Sequence, residues 1–384
     1  MIKAGVGKSS VSNPFQAGVE AVKKALDQVQ GEAKIIFVFI NSNLDQERVL
    51  EGITSLAKEA KVVGVSSMAE IGEGEVSKGS VVAMAISGDN IDFICQKEKI
   101  SQEIGGFELG KSVAEKIKKE SKGKLQFLLL FASGLAENIE KISQGMKSVL
   151  GSSLPIIGAL ASDDLKFEKI PLFFNREIVE DGILAIGVEG DFSFGFSSRH
   201  GWQPIGLPFK ITKAEEEKVI EIERKPALSL YEEYLGKERK ILLEYPLLQV
   251  TSIYPLALVQ EDLKEPLLRI PIKGNKEGEI VCLGKIPEDA KVKLALGDQE
   301  KMMEAGEKSA REALESLKKA RPKFALIFAS FARFRLFGRE VSKEIKKISE
   351  IFGKEVAVCG FYDYGEITNS TLLNGTLTIL VIGE

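Results

Sequence analysis

The stretch VAVCGFYDYGEI, residues 356–367, places several side chains that can bind or transform a polar molecule at the end of an apolar run. Asp363 and Glu366 can accept hydrogen bonds from a ligand amine or act as a general acid and base. Tyr362 and Tyr364 can form the walls of a pocket. Open α/β sheets bind ligands outside the ends of their strands, so this position favours a ligand site. The alternative is a tight turn whose tyrosines are half-buried.

Arg333 follows a second buried strand, in the stretch KFALIFASFAR (323–333) that also contains Ser330. A guanidinium just past a strand end is a natural partner for a carboxylate, either that of a ligand or that of Glu366 or Asp363. The sequence leaves a ligand clamp and a structural ion pair as equal alternatives.

His200 is the only histidine of the chain. A Ser-His-Asp triad, a Cys-His pair or a haem ligand would therefore have to use it, and a multi-histidine metal site is excluded. With Trp202 nearby, His200 could line a pocket. The simpler interpretation is a polar residue where a strand passes into a turn.

The elements around VAVCGFYDYGEI occur three times along the chain. Each copy has an amphipathic helix, a buried strand, a second helix, a strand ending at a glycine, and a further strand after a later glycine. An acidic residue follows the strand-ending glycine at the same spacing of six in each copy: Glu70 after Gly64, Asp164 after Gly158, and Glu366 after Gly360. Caps or turn-stabilising contacts are favoured for these three residues over ligand binding, and ligand binding over catalysis.

The repetition predicts an α/β protein whose sheets are built from αβαββ units. A strand-rich segment, about 196–299, separates the second unit from the third. A chain of 384 residues is too long for one ordinary core. We predict two domains: residues 1–196 with two units, and residues 197–384 with the strand-rich insertion and the third unit. The insertion should supply a wall of the second domain.

Composition excludes several classes of function. The net charge of −4 and the pI near 5.6 provide no basic field, so we expect no nucleic-acid partner. The longest apolar runs have the length of strands and the first residues lack the apolar middle of a signal peptide, so we expect a cytoplasmic protein without membrane insertion. The three cysteines lie far apart, which indicates small buried side chains rather than a disulfide or metal site. We expect no cofactor.

Four motifs of the chain are VVGVSSMAEI (62–71), GWQPIG (201–206), ERKPALSLYEEYLG (223–236) and GFYDYGEI (360–367). Together they resemble the FIST family of proteins with N- and C-terminal FIST domains, and the similarity runs from about residue 30 to residue 380. The resemblance implies a sensory module, found mostly in bacteria and archaea, that binds small ligands such as amino acids and signals to histidine kinases, chemoreceptors or cyclic-nucleotide enzymes. Some members bind haem and report nitric oxide.

One motif departs from the family pattern. Relatives commonly have Ser-Cys followed two residues later by Arg, whereas this chain has Ala329 and Ser330 and then Arg333. The arginine is kept and the cysteine is not. Carboxylate binding by Arg333 is therefore unaffected, and any function of that thiol is in doubt.

The function we expect is that of a cytoplasmic sensory protein for an amino acid or small carboxylate, with a separate partner such as a histidine kinase. Arg333 would hold the ligand carboxylate, and Glu366 or Asp363 would accept from its amine. The other residues expected at the site are Ser330, Tyr362, Tyr364, Trp202 and His200. A hydrolase or transferase using the acidic loops and a haem-based gas sensor using His200 remain alternatives. Two carboxylates and a serine or cysteine meeting in one closed cleft would favour the enzyme.

Overall fold

The computed structural model describes residues 1–29, 31–101, 103–134, 136–244, 246–259 and 265–384. The first unit contains β1 (Lys3–Ser9), α1 (Pro14–Gln28), β2 (Ile35–Asn41), α2 (Gln46–Leu56), β3 (Lys61–Ser67), β4 (Glu70–Gly72), β5 (Glu75–Ser77) and β6 (Val81–Ser87). The second contains β7 (Ile91–Lys99), α3 (Gly106–Glu120), β8 (Leu125–Ala132), α4 (Ile139–Leu150), β9 (Ile156–Leu160), β10 (Leu172–Phe174), β11 (Glu177–Val179) and β12 (Gly182–Gly190).

The third unit is interrupted after its first strand, β13 (Ser193–Arg199), by the insertion. The insertion contains β14 (Gln203–Glu215), β15 (Lys218–Ile222), β16 (Lys225–Pro226), α5 (Ser229–Leu235), α6 (Arg239–Leu243), α7 (Leu248–Thr251), β17 (Leu256–Leu258), β18 (Leu267–Arg269), β19 (Pro271–Gly274), β20 (Ile280–Cys282) and β21 (Lys291–Leu296). The unit resumes with α8 (Gln299–Ser316), β22 (Pro322–Ser330), α9 (Phe331–Phe337), a 3-10 turn (Gly338–Glu340), α10 (Val341–Phe352), β23 (Ala357–Asp363), β24 (Glu366–Thr368), β25 (Thr371–Leu373) and β26 (Leu377–Gly383).

The predicted α/β class and the strand-rich insertion are confirmed. Each repeat is larger than the predicted αβαββ unit, because a strand precedes its first helix and a short hairpin precedes its last strand. The hairpin strands have only three residues each, which is too short for a period of two to be recognised in the sequence. The predicted boundary at residues 196 and 197 stays a prediction. No helix among the described residues is long and apolar enough to cross a membrane.

Three long helices of the repeats, α1, α2 and α8, begin at a side chain that caps them. Asn13 accepts a hydrogen bond from the Gln16 amide, 3.0 Å away, and Pro14 occupies the first turn of α1. Asp45 and Asp298 cap α2 and α8 in the same way. Such side chains satisfy amide groups that have no partner within the helix.

Each unit builds one six-stranded sheet, and each sheet is completed by a hairpin from another unit. The strand orders are β1-β6-β2-β3-β10-β11, β7-β12-β8-β9-β24-β25 and β13-β26-β22-β23-β4-β5. The hairpin of the second unit therefore extends the first sheet, that of the third extends the second, and that of the first extends the third. This exchange closes the three units into a ring.

The strand-ending glycines permit the close packing of this ring. Gly64, Gly158 and Gly360 pair with hairpin residues Phe173, Ile367 and Ile71, respectively. A Cβ atom on any of the three glycines would lie 1.8–1.9 Å from a carbonyl oxygen of the neighbouring parallel strand. Only glycine fits at such a position, which explains why the motif recurs.

The inner faces of the three sheets share one hydrophobic core, whereas helices cover the outer faces. In β2 the alternate residues Ile36, Val38 and Ile40 pack with α1 and α2, and Phe39 points to the shared core. Phe39, Phe131 and Phe328 occupy the same position in the three units. Phe361 joins them: its ring centroid lies 5.0 Å from that of Phe39 and 5.7 Å from that of Phe328.

Candidate functional site

Polar side chains lie above the phenylalanine cluster, where the parallel strands of each unit end. Equivalent positions are identified by a shared hydrogen bond between two backbone groups. An amide at the end of the first parallel strand donates to a carbonyl at the start of the last strand: Asn41 to Ser80 (3.1 Å), Ser133 to Gly182 (2.9 Å) and Ser330 to Thr376 (3.0 Å). We call the four equivalent residues of each unit its strand-end quartet. The quartets are Asn41, Ser67, Glu70 and Ser80; Ser133, Ala161, Leu172 and Gly182; and Ser330, Asp363, Glu366 and Thr376.

The first quartet is a closed hydrogen-bond network around Glu70. One carboxylate oxygen accepts from Asn41 Nδ2 at 3.0 Å and from Ser67 Oγ at 2.7 Å, and the other accepts from the Ser80 amide at 3.2 Å and Ser80 Oγ at 2.6 Å. Glu70 is fully buried. Burial raises the pKa of Glu70 to about 7, against the opposing effect of these hydrogen bonds.

The third quartet contains the same glutamate with fewer partners. Oε2 of Glu366 accepts from the Thr376 hydroxyl, whereas Oε1 of Glu366 and both carboxyl oxygens of Asp363 make no hydrogen bond of normal geometry to a described residue. Ser330 Oγ accepts from the Gly375 amide at 3.1 Å. Asp363, Glu366 and Ser330 are all fully buried. The two carboxyl groups thus face each other with fewer donors from the rest of the protein than Glu70 has, in a place where an unpaired polar atom costs about 1–3 kcal/mol.

The carboxyl groups of Asp363 and Glu366 titrate as a pair. Burial, and then the charge of Glu366, raises the pKa of Asp363 well above its ordinary value. Burial raises the pKa of Glu366 to about 8. Two carboxylates that interact at a buried site cannot both ionise easily, so the pair keeps a proton at neutral pH.

The second quartet contains no acidic residue. The prediction from the repeat that Asp164 is equivalent to Glu70 and Glu366 is therefore wrong. The position equivalent to Glu70 and Glu366 is Leu172, which begins the hairpin of the second unit, and not Asp164. The spacing of six fails because the second unit has a longer loop between the glycine strand and its hairpin. Asp164 lies in that loop at the surface, where its carboxylate is 2.7 Å from Lys78 Nζ.

Arg333 is engaged by other protein groups. It lies on α9 without solvent exposure and forms an ion pair with Glu344 of α10. Its two terminal nitrogens also donate to the carbonyl oxygens of His200 (2.6 Å) and Met302 (2.7 Å). Neither Asp363 nor Glu366, the two partners expected within the protein, forms this ion pair. Arg333 thus joins α9 to α10 and to two neighbouring segments.

The two tyrosines point away from the carboxyl pair. Tyr362 faces the helix layer, with its ring 5.1 Å from that of Phe334, and its hydroxyl has no partner among the described residues. The Tyr364 hydroxyl donates to Asp163 and accepts from the Leu165 amide at 3.0 Å. Tyr364 therefore holds the long loop of the second unit.

His200 and Trp202 lie beside each other at the end of β13. His200 Nδ1 accepts from the Trp202 amide at 2.9 Å, so Nε2 carries the proton and donates to the Pro266 carbonyl at 3.0 Å. Burial lowers the pKa of His200 and keeps the ring neutral. Both ring nitrogens are occupied by the backbone, so a haem iron would have to displace one of these bonds. The Trp202 ring packs against Gly375, and its Nε1 has no partner among the described residues.

The structure brings Ser330, Asp363 and Glu366 together and holds Arg333, Tyr362, Tyr364, His200 and Trp202 in other contacts. Thr376 was missed by the sequence reasoning. A signal for it was present, since Ser80 and Thr376 each follow the glycine that precedes the last strand of a repeat. Cys95, Cys282 and Cys359 are buried free thiols, and no group of three metal-ligating residues occurs within the described ranges.

Comparison with known proteins gives two family matches. The FIST N domain model matches residues 34–225 and the FIST C domain model matches residues 227–369. An uncharacterized protein of Methanocaldococcus jannaschii is 26% identical over 353 residues, which is 87% of this chain and 65% of that protein. The chain thus spans about two thirds of the length of this relative.

Solved structures resemble the chain only distantly. A cyanuric acid hydrolase from A. caulinodans aligns over 100% of this chain and 99% of its own with 8% identity and a TM-score of 0.39. A chorismatase aligns over 100% and 98% with 9% identity and a TM-score of 0.35. Both scores are too low to support an inference about function. FIST domains are associated with sensory function in signal transduction. The two family models cover nearly the whole chain, so the chain belongs to the FIST family.

Proposed function

We propose that the chain is a cytoplasmic sensory protein that binds a small amine-bearing molecule, such as an amino acid, at the third strand-end quartet. A separate partner, such as a histidine kinase, would receive the signal. The observation that carries the proposal is the difference between two equivalent sites. Glu70 has four hydrogen bonds to the protein, whereas three carboxyl oxygens of Asp363 and Glu366 have no hydrogen bond of normal geometry.

The chemistry of the pair suits an ammonium group. A primary ammonium offers three N–H donors, which match the three carboxyl oxygens once the pair has lost its proton. Its positive charge would also favour ionisation of both carboxyl groups, which the buried site otherwise opposes. Binding of such a ligand should therefore release a proton from the pair.

The contacts of Arg333 favour the amine, rather than a carboxylate, as the recognised group of the ligand. The Arg333 guanidinium already contacts Glu344 and two backbone carbonyls. A ligand carboxylate at this guanidinium would have to displace Glu344, which is itself buried. In this proposal Arg333 holds α9 in place. Ser330, Asp363 and Glu366 contact the ligand.

A thermal-shift screen tests the proposal with paired ligands. Each amino acid is compared with the carboxylate that lacks its amine and with the amine that lacks its carboxylate. We expect a concentration-dependent rise in melting temperature with amine-bearing ligands, lost in Asp363→Asn. Glu70→Gln is the matched control, because it alters the closed quartet and should leave the shift unchanged. Shifts of equal size in Asp363→Asn and wild type, or no shift with any amine, would overturn the proposal.

One observation supports the alternative function of an enzyme, and a second argues against it. Two carboxyl groups and Ser330 do meet at a closed site. Ser330 Oγ, however, accepts hydrogen bonds from the amides of Gly375 and Ala332, and no described histidine or lysine contacts it. An unactivated hydroxyl is a weak nucleophile, so the geometry favours binding over hydrolysis.

A further inference from the structure

A cleft of about 510 Å³ lies between the second unit and the insertion. One wall is the crevice at the ends of β8 and β9 with the first turn of α4, including Gly134, Leu160 and Glu140, and the opposite wall is β19 and β20 with the residues beside them. Leu372 of the Glu366 hairpin also lines it. We call this space the insertion cleft. It has the size and the strand-end position of small-molecule sites in α/β proteins.

We propose that the insertion cleft is a second binding site, for a small amphiphilic cation with an apolar body, and that its occupant acts on the hairpin that carries Glu366. This inference goes beyond the proposed function, which concerns the third quartet alone.

The lining selects the class of ligand. Its apolar residues are Ile139, Leu160, Ile272, Val281, Leu283 and Leu372. Its charged residues are Glu137, Glu140, Glu216 and Glu217 against Lys141, Lys273 and Lys285. Glu216 is shared by Lys141 at 3.8 Å and Lys285 at 3.0 Å, and Glu140 lies beside Arg269. Glu137 and Glu217 are therefore the lining carboxylates that form no ion pair with a described residue. An apolar body with a positive end complements this surface.

One lining residue is hydrogen-bonded directly to the hairpin. Glu140 Oε1 accepts from the Leu372 amide at 3.1 Å, and the same carboxylate lies 3.6 Å from the guanidinium of Arg269. Arg269 is only 2% exposed and donates to the Leu372 carbonyl at 2.9 Å. Both backbone groups of Leu372 are therefore held by this pair of side chains.

A cation that attracts Glu140 competes with the two contacts of this carboxylate, to the Leu372 amide and to Arg269. Leu372 pairs with Ile367, the neighbour of Glu366, across β24 and β25. Weakening the hold on Leu372 should therefore change the position of Glu366. Any such coupling between cleft and quartet is reciprocal in free energy.

The fluorescence of Trp202 can report a movement of the hairpin that carries Glu366. Trp202 is the only tryptophan, and its ring packs against Gly375 in the turn that follows the hairpin. Emission of Trp202 in the full-length protein is followed during titration with phenethylamine, with 3-phenylpropionate as a probe of similar body and opposite charge. Calorimetry gives the dissociation constants.

We expect saturable binding of phenethylamine with a change in Trp202 emission, and binding of 3-phenylpropionate that is weaker by about tenfold or more. Val281→Phe fills the cleft and Glu140→Gln removes its charge while keeping an acceptor for Leu372, and each should weaken phenethylamine binding by about tenfold. Glu51→Gln, on an exposed face of α2, and Val281→Ala, which widens the cleft, should retain binding. Circular dichroism verifies that each variant is folded.

Three results would overturn the inference. They are no saturable binding of phenethylamine, equal binding of the two probes, and binding that Val281→Phe and Glu140→Gln leave unchanged. Phenethylamine binding that is lost in Asp363→Asn but retained in both cleft variants would belong to the third quartet, so it would support the proposed function while overturning the second site.

Discussion

Glu70 and Glu366 show at the scale of single residues how the same position acquires different chemistry. Both are buried glutamates at the start of an exchanged hairpin, and both point to the strand ends of their own unit. Around Glu70 the partners are Asn41 and two serines, all of which can donate. Around Glu366 one of these places is taken by Asp363, a second acid. Replacing a donor by an acid leaves the carboxyl pair either to share a proton or to accept from a donor outside the quartet.

The buried acids predict that the folded state loses stability as pH rises. Burial raises the pKa from 4.5 to about 7 for Glu70 and to about 8 for Glu366. Between the unfolded and folded pKa values the folded chain binds a proton that the unfolded chain has released, so the free energy of unfolding falls with increasing pH. We expect a decrease of up to about 3 kcal/mol per group between about pH 5 and about pH 8.

Guanidinium chloride unfolding at a series of pH values measures this dependence. Glu70→Gln and Glu366→Gln should each flatten the curve, because glutamine does not titrate. Glu51→Gln, a change at an exposed glutamate, should leave the slope as it is. A slope that both Glu70→Gln and Glu366→Gln leave unchanged would contradict the raised pKa values of these two groups.

At the scale of elements, α9 distinguishes the third unit from the other two. Residues 42–45 lead from β2 directly to α2, whereas α9 and a 3-10 turn stand between β22 and α10. α9 begins immediately after Ser330, and Phe331 and Phe334 pack against Tyr364 and Tyr362. The element therefore covers the end of the third unit, and its attachment depends on Arg333.

The buried ion pair predicts how strongly α9 is attached. Arg333→Leu leaves the Glu344 carboxyl buried without its partner, which should destabilise the protein by about 3–5 kcal/mol. Changing both residues to leucine should recover much of that loss, since no buried charge remains. Arg339→Leu in the 3-10 turn after α9 is the control: this side chain is exposed, so its loss should cost less than about 1 kcal/mol, as expected for a surface change. If the double variant is no more stable than Arg333→Leu, the ion pair is not the main contact that attaches α9.

The sequence predicted those parts of the site that are local in the chain. Asp363 and Glu366 are three residues apart beside a glycine that must pack against a carbonyl, so their proximity follows from the motif. The partner of Arg333 did not follow, because Glu344 lies beyond Gly338 on a separate helix and no pattern distinguishes it from other acids. Leu172 was missed because equal spacing was assumed across a loop of unequal length. Pairing between units leaves no periodic signal in the sequence.

At the scale of the whole molecule, the exchange of hairpins makes the halves of the chain depend on each other. The second sheet needs β24 and β25 from the C-terminal half, and the third sheet needs β4 and β5 from the N-terminal half. Each half alone would therefore have one sheet edge without its neighbour and one hairpin without a sheet. Exposed edges of this kind promote aggregation.

Fragments divided between β12 and β13, near Asp191, test this dependence. Expressed separately, residues 1–190 and 191–384 should be insoluble or should unfold without a cooperative transition, because each lacks the strands that cover its open edge. Expressed together, they should form a one-to-one complex, since the two exchanged hairpins and the shared phenylalanine cluster join them. Size-exclusion chromatography with light scattering gives the stoichiometry, and thermal unfolding gives the cooperativity. Two soluble monomers that each unfold cooperatively would mean that the hairpin exchange contributes little to stability.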